Sequence, residues 1–216
     1  MRLQVYKPNP KSTGGALEFN IGFRKDKWDN YMPEFYVNLT NQVSWNSVTK
    51  NGSFKENVKN PKKSISTKLG MFELGEIKNC FERRLPWTGF HSFGDNNTSF
   101  TLTPWDKNRK VKQKVWNADQ GKYVFGDVEV PVHAYGFTVR RGEVNVSVAL
   151  EPGEIEAFKQ LINYYFKIVF DKEASNQQKF LKNKQEEVEP TKSSVTPGNP
   201  KAVSSPAVPD EDEPPF

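Results

Sequence analysis

Two runs of β-strands, each followed by an amphipathic helix, account for most of this chain. In the first run, "GALEFNIGFR" (15–24), "EFYVNLTNQ" (34–42) and "KKSISTKLG" (62–70) alternate apolar and polar residues. Alternation of this kind is typical of strands with one buried face. The segment "ELGEIKNCFERRL" then carries Leu74, Ile77 and Phe81 on one helical stripe, which predicts a short helix after the strands.

The second run has the same plan. Five strand-like segments, "NTSFTLTPW", "VKQKVWN", "KYVFGDVEVPVHA", "YGFTVRR" and "EVNVSVALE", are separated by turn signals such as "DQGK" and "RRGE". A longer helix, "PGEIEAFKQLINYYFKIVF", follows and presents Ile155, Phe158 and Ile162 on one face. We therefore predict an α+β fold of antiparallel sheets, each followed by a helix. A five-stranded oligonucleotide-binding (OB) barrel drawn from the same runs is the alternative.

The two strand-to-helix junctions resemble each other. "SISTKLGMFELGEIKNCF" can be laid over "NVSVALEPGEIEAF" after a gap of two residues, so that both share a strand, a leucine and then Gly-Glu-Ile. An internal duplication would explain this similarity.

Composition divides the chain into three parts. We expect a folded body over residues 1–171, a flexible linker over 172–209 and an acidic tip over 210–216. Seven of the 15 prolines lie between Pro190 and Pro215, and so polar a segment cannot bury enough surface to fold, which predicts a disordered C-terminal tail. Within the linker, residues 177–187 could extend the preceding helix.

Charge follows the same division. Residues 1–170 carry a net charge of +8, and the chain from Asp171 onward carries −3. A basic body attracts polyanions, with nucleic acid the first expectation. Cys80 is the only cysteine, and the N-terminus has no apolar leader segment, so we expect a cytoplasmic protein without a membrane span.

The residue types needed for common catalytic sites do not group together. The two histidines, His91 and His133, are far apart, and neither a zinc spacing nor a phosphate-binding glycine loop is present. Asp127 and Glu129 share one face of a predicted strand and could hold a metal ion, although a solvated strand face explains them more simply. We expect no enzymatic activity and no cofactor.

Basic residues instead recur beside aromatic ones, in "FRKDKW" (23–28), "PWDKNRKVKQKVW" (104–116) and "YGFTVRR" (135–141). Single-stranded nucleic acid requires this pairing, because cations follow the phosphates while rings stack on unpaired bases. The predicted stacking residues are Trp28, Trp105 and Trp116. The predicted phosphate contacts are Lys25, Lys27, Lys107, Arg109, Lys110, Lys112, Lys114, Arg140 and Arg141, with Lys62, Lys63 and Lys68 as weaker candidates.

The chain ends in "DEDEPPF", which resembles the acidic C-terminal tip of bacterial and phage single-stranded DNA-binding proteins. A terminal Phe presents a ring and a carboxylate together, and a flexible linker gives it reach. By this resemblance, the predicted partner-binding residues are Asp210, Glu211, Asp212, Glu213 and Phe216.

The body resembles a different group. "STKLGMFELGEI" and "VALEPGEIEAF" are similar to the strand-to-helix junctions of the Whirly and positive-cofactor-four group of single-strand binders. The resemblance implies a Whirly-like fold. That family's Lys-Gly-Lys-Ala-Ala-Leu contact motif is absent, so no contact residue is carried over from it.

Together these features predict a single-stranded DNA-binding protein of replication, recombination and repair, of the kind that phages encode. It would coat and protect exposed strands while its tail recruits replication proteins. An RNA-binding or transcription-regulating factor of the same fold, and a metal-dependent nuclease or annealing protein, are the alternatives. The sequence leaves the oligomeric state open, a homo-oligomer included.

Overall fold

The computed structural model describes residues 1–27, 30–94 and 96–188. Met1–Asn176 forms one compact unit, and a second unit begins at Gln177. The predictions made for residues 189–216, namely most of the flexible linker and the acidic tip, lie outside the described residues.

The first sheet is an antiparallel meander of four strands. Its order is β1–β2–β3–β6, and a small two-stranded sheet, β4–β5, interrupts the chain between β3 and β6. The six strands are β1 (Arg2–Lys7), β2 (Gly15–Lys25), β3 (Tyr31–Asn41), β4 (Ser44–Asn46), β5 (Asn51–Ser53) and β6 (Ser64–Leu69). Helix α1 (Met71–Arg83) follows directly.

The second sheet repeats this topology. Its order is β10–β9–β8–β7, again with antiparallel neighbours. The strands are β7 (Trp87–Phe93), β8 (Asn96–Asn117), β9 (Lys122–Arg141) and β10 (Val144–Leu150), and helix α2 (Pro152–Val188) follows. The predicted α+β fold, with antiparallel sheets each followed by a helix, is confirmed. The alternative OB barrel is wrong, because the described strands form separate open sheets.

Strands β8 and β9 are much longer than the sequence indicated. "NTSFTLTPW" and "VKQKVWN" are parts of one strand, β8, and "KYVFGDVEVPVHA" and "YGFTVRR" are parts of β9. The polar stretch between Asp106 and Arg109 conceals this continuity in the sequence, but β8 and β9 pair without a break from Thr98↔Arg141 to Asn117↔Lys122.

The core unites both sheets and both helices. The Phe19 ring of the first sheet stacks on Phe158 of α2, with their centroids 3.7 Å apart, and lies 6.0 Å from Phe137 of the second sheet. All three rings are fully buried, and burying each one contributes about 1.5–3 kcal/mol. Helix α2 therefore holds the inner faces of the two sheets together.

The two strand-to-helix junctions are built alike. The backbone N–H of Gly70 donates to the Glu73 carboxylate at 2.7 Å, and that of Glu151 donates to Glu154 at 2.8 Å. In each case a glutamate in the first helical turn satisfies the N–H of the residue before the helix. Shared junction geometry and shared strand order agree with an internal duplication.

Helix α2 continues to Val188, so positions 172–188, which the sequence assigned to the flexible linker, are helical. This stretch is rich in Glu, Lys, Gln, Leu and Ala, all of which favour helix, and it contains no proline; the next proline in the chain is Pro190. No helix in the described ranges combines the length and apolar character needed to cross a lipid bilayer.

Candidate nucleic-acid interface

The central hairpin of the second sheet extends well past its neighbours. Strand β7 pairs with β8 only up to Leu102, and β10 pairs with β9 only from Tyr135. Residues 103–117 and 122–134 therefore form a two-stranded ribbon. At about 3.3 Å per residue, its longer strand spans about 50 Å.

The register of the ribbon divides its side chains between two faces. One face continues the core-facing side of the sheet, and we call it the charged face; it includes Asn108, Lys110, Lys112, Lys114, Trp116, Tyr123, Phe125, Asp127 and Glu129. The opposite face we call the valine face; it comprises Trp105, Lys107, Arg109, Val111, Gln113, Val115, Val124, Gly126, Val128, Val130 and Val132.

The three alternating lysines lie on the charged face, in agreement with their spacing in the sequence. Lys110 is opposite Glu129, Lys112 is opposite Asp127 and Lys114 is opposite Phe125. All three side chains are exposed. Within the described ranges none of them forms an ion pair, so their ammonium groups are available to phosphates.

Beyond the lysines lies a cluster of exposed rings, which with Lys114 we call the distal patch: Lys114, Trp116, Tyr123 and Phe125. The Trp116 and Tyr123 rings are 5.2 Å apart and nearly perpendicular, and the Lys114 ammonium lies 6.0 Å from the Phe125 centroid. The three rings are 57%, 67% and 71% exposed. So much ring surface beside a free cation suits the stacking of unpaired bases.

Trp116 is one of the stacking residues predicted from the sequence, whereas Tyr123 and Phe125 are not among them. Both lie in a segment that was predicted to be a strand, and their spacing of two residues places them on one face. The missing information was the pairing of Trp116 with Tyr123 across the turn.

The central hairpin of the first sheet ends in a similar way. Lys25 lies directly opposite Tyr31, with its ammonium 5.3 Å from the ring centroid, and Phe23 is exposed two pairs further from the turn, on the same face. We call Phe23, Lys25 and Tyr31 the first-hairpin patch. Lys27 follows in the turn, and Trp28, a predicted stacking residue, lies outside the described residues.

The two patches occupy equivalent positions in the duplicated topology. Each lies at the turn end of the hairpin formed by the second and third strands of its meander. In each, a lysine of the second strand lies over a ring of the third strand. The motifs "FRKDKW" and "PWDKNRKVKQKVW" thus mark two equivalent places in the fold.

Trp105, Lys107 and Arg109 lie on the opposite face from the lysine triplet. Lys107 and Arg109 both bind the carboxylate of Glu151, Lys107 at 2.7 Å. The hydrogen bond from Lys107 lowers the pKa of Glu151, and the nearby charges of Lys7 and Arg109 act in the same direction. These two cations anchor the base of the ribbon and are already neutralised.

Arg141 joins the two sheets. Its Nε donates to Thr98 Oγ1 at 2.7 Å, and its Nη2 donates to the carbonyl of Ser66 on β6 at 3.1 Å. Thr98 is buried, so this guanidinium satisfies a polar group that water cannot reach.

Lys68 is also engaged, because it donates to Glu34 at 2.6 Å. Burial raises the pKa of Glu34, but hydrogen bonds from Lys68 and Tyr36 outweigh it and leave the pKa lowered. The remaining predicted cations, Lys62, Lys63 and Arg140, are exposed away from the ribbon. The structure therefore distinguishes basic residues that bind other groups of the fold, namely Lys68, Lys107, Arg109 and Arg141, from the lysine triplet of the charged face, a distinction that the sequence did not make.

A groove of about 920 Å³ lies on the solvent face of the first sheet. Its walls include Tyr6 and Phe54, whose ring centroids are 5.8 Å apart. Its floor carries the carboxylate of Glu18, which accepts hydrogen bonds from Gln4 and Asn38. Arg2 lies 3.9 Å from this carboxylate, which offsets its charge. The ribbon instead carries three lysines that form no ion pair within the described ranges, so we place the candidate interface on the hairpin ends.

The acid pair considered for a metal, Asp127 and Glu129, lies on the charged face opposite Lys112 and Lys110. Asn108 also donates to Glu129, at 3.4 Å. Over the described ranges, no three His, Cys, Asp or Glu side chains come together in a way that could hold a metal ion.

Comparison with known proteins gives little further guidance. No family model matches the chain, and no curated protein matches it. One solved structure that is similar is that of the plant transcriptional regulator PBF-2, with a TM-score of 0.45 and 10% sequence identity over 82% of this chain and 86% of that chain. A match at this level does not by itself assign a function.

Proposed function

We propose that this protein binds single-stranded DNA with little sequence preference, through the distal patch and the first-hairpin patch. The observation that carries the proposal is the distal patch, where three exposed rings adjoin a run of lysines on one face of a projecting ribbon. Stacking accepts any base, because every base has a π-face, and this favours binding without sequence readout.

The chemistry favours single strands over duplex. Bases inside a duplex are already stacked and cannot lie on Trp116, Tyr123 or Phe125, whereas an unpaired strand can place its bases on the rings and its phosphates along Lys110, Lys112 and Lys114. Each stacked base is worth about 1–3 kcal/mol. The net charge of +8 on residues 1–170 attracts the polyanion over longer distances.

In the cell, we place this activity in DNA replication or recombination in the cytoplasm, as a non-catalytic coat on exposed strands. The support comes from the sequence of the C-terminal tip. Asp210–Glu213 and Phe216 would recruit replication proteins, and the same acids would compete with DNA for the basic patches.

The experiment is a binding competition at one salt concentration among oligo-dT, the matching RNA and a duplex of equal length. We expect oligo-dT to bind at least tenfold more tightly than duplex. Tighter binding of RNA would favour an RNA-binding or transcription-regulating factor instead. Divalent-metal-dependent shortening of the oligonucleotide that is lost in Asp127→Asn would favour a nuclease, and tight duplex binding would overturn the proposal.

A further inference from the structure

The valine face of the ribbon is an apolar surface outside the core. Six valines, Val111, Val115, Val124, Val128, Val130 and Val132, lie on it and are half-buried. None of them belongs to the core cluster or packs against it. Their burial comes in part from each other, because Val111 faces Val128 and Val115 faces Val124 across the strands.

The local sequence maintains this face. A side chain at Gly126 would place its Cβ 2.8 Å from Val115 Cγ2, so the glycine leaves room for that valine to cover the strand opposite. Opposite Val130 and Val132 lie Arg109 and Lys107, whose aliphatic stems extend the apolar surface while their charged ends bind Glu151.

A ribbon of this kind needs a covering partner. Two strands without a third are at best marginally stable in water, and an apolar face adds to stability only when it is buried. The six valines remain partly accessible, and contiguous apolar surface that stays accessible to solvent marks interaction sites. The rings of the charged face belong to the proposed DNA interface and the rest of that face is solvated by its lysines and acids, so the valine face is the one left for a protein partner.

We propose that the valine face packs against the valine face of a second copy of this chain. A strip of about 43 Å from Trp105 to Asn117, about 10 Å wide, would bury about 900 Å² in total over both copies, which is the size of a weak or transient interface. Its centre carries no charge, so two identical faces meet without repulsion. Such isologous pairing is the commonest way in which protein chains dimerise.

Other occupants fit this face less well. Nucleic acid needs free cations, but Lys107 and Arg109 are bound to Glu151, and valine side chains do not stack on bases. Pairing along the ribbon edge is opposed by Pro131, which has no N–H to donate, and by the charged lysines. In a face-to-face dimer, both charged faces and both distal patches point outward, toward DNA.

The first experiment compares neighbouring residues on opposite faces. Gln113 lies in the middle of the valine face and Lys112 on the charged face, and both are exposed. A short bis-maleimide should join Gln113→Cys chains into a covalent dimer at least tenfold faster than Lys112→Cys chains, with Cys80 buried as a common background. Equal rates, or faster joining through Lys112→Cys, would overturn the proposal.

The second experiment measures association directly by sedimentation velocity of the full chain. Replacing Val111, Val128 and Val130 by threonine keeps the β-branched shape but makes the face polar, and should raise the dimer dissociation constant at least tenfold. The matched control places threonine at Asn108, Asp127 and Glu129 on the other face and should leave that constant unchanged.

A wild-type chain that stays monomeric at about 100 μM, or a valine variant that associates as well as wild type, would contradict the proposal. The two ribbon faces are opposite each other, so the dimer and the DNA contact can be tested independently. A valine variant that no longer associates but keeps its oligo-dT affinity would show that the valine face serves the dimer and not DNA binding. Loss of oligo-dT affinity in a chain that is monomeric throughout would instead identify the valine face as a DNA contact.

Discussion

The ammonium group of Lys114 lies 6.0 Å from the centroid of the Phe125 ring, directly across the β8–β9 ribbon. The first sheet has the same relationship between Lys25 and Tyr31 at 5.3 Å. Each pair places a cation and a ring on the same surface near the turn of a hairpin. This repeated pair is the basic unit of the surface that we propose binds single-stranded DNA.

Trp116→Ala should weaken oligo-dT binding by about tenfold or more, because a lost base stack is worth about 1–3 kcal/mol. The control is Phe72→Ala, since Phe72 is an 83% exposed ring on α1, away from the ribbon. Fluorescence anisotropy with a labelled oligonucleotide gives both affinities. Equal losses in the two variants would contradict a specific role for the distal patch.

The charged face should determine the salt dependence of binding. Replacing Lys110, Lys112 and Lys114 by glutamine should reduce the slope of log affinity against log salt by about 2, since each phosphate contact to a single strand contributes about 0.7. The paired variant, Lys107→Gln with Arg109→Gln, should change the slope less, because Glu151 already neutralises both cations. A larger change of slope in the Lys107 and Arg109 variant than in the lysine-triplet variant would place the phosphate contacts on the valine face.

The sequence predicted the fold more fully than the site. The alternation of apolar and polar residues and the two Gly-Glu-Ile junctions were sufficient to predict sheets followed by helices. Both patterns reflect which side chains of a single strand or helix are buried, so they can be recognised in short segments of sequence. Trp105 and Trp116, in contrast, were expected to act together, yet they lie on opposite faces of one continuous strand. Side chains alternate between the two faces of a strand. Residues eleven positions apart, an odd number, therefore lie on opposite faces once the strand is known to be unbroken.

The roles of individual cations depended on contacts distant in the chain. Lys107 meets Glu151 44 positions away, and Arg141 meets Ser66 75 positions away. Such contacts result from the packing of one half of the molecule on the other, and the residue types alone do not reveal them.

Arg141→Ala should lower the free energy of unfolding by about 1–3 kcal/mol, because it leaves the buried Thr98 hydroxyl without its donor. The neighbouring Arg140→Ala removes only an exposed hydrogen bond to the Gly142 carbonyl and should change stability by less than about 0.5 kcal/mol. Urea denaturation measures both. Equal destabilisation would argue against a structural role for Arg141.

The anchor at Glu151 should make stability depend on pH. Its folded pKa lies below the ordinary value of 4.5, chiefly through the hydrogen bond from Lys107. The resulting stabilisation is therefore complete above pH 4.5 and is lost as the pH falls through the lowered folded pKa. The difference in unfolding free energy between wild type and Glu151→Gln should be largest near pH 7 and shrink below pH 4.5. A difference that stays constant from pH 7 to below pH 4.5 would contradict this role of Glu151.

Deleting residues 210–216 should leave oligo-dT affinity unchanged or higher, and the gain should be greatest at low salt, where acids compete best with DNA. Replacing Asp210, Glu211, Asp212 and Glu213 by their amides while keeping Phe216 should reproduce that gain. Weaker DNA binding after either change would mean that the tip contributes to DNA binding and does not compete with it.

The most direct measurement is ultraviolet cross-linking of halogenated oligo-dT to the full chain, followed by mapping of the linked peptides. The account predicts cross-links at Trp116, Tyr123 and Phe125, with a second set at Phe23 or Tyr31. Cross-links confined to the groove of Tyr6 and Phe54, or to the valine face, would contradict it.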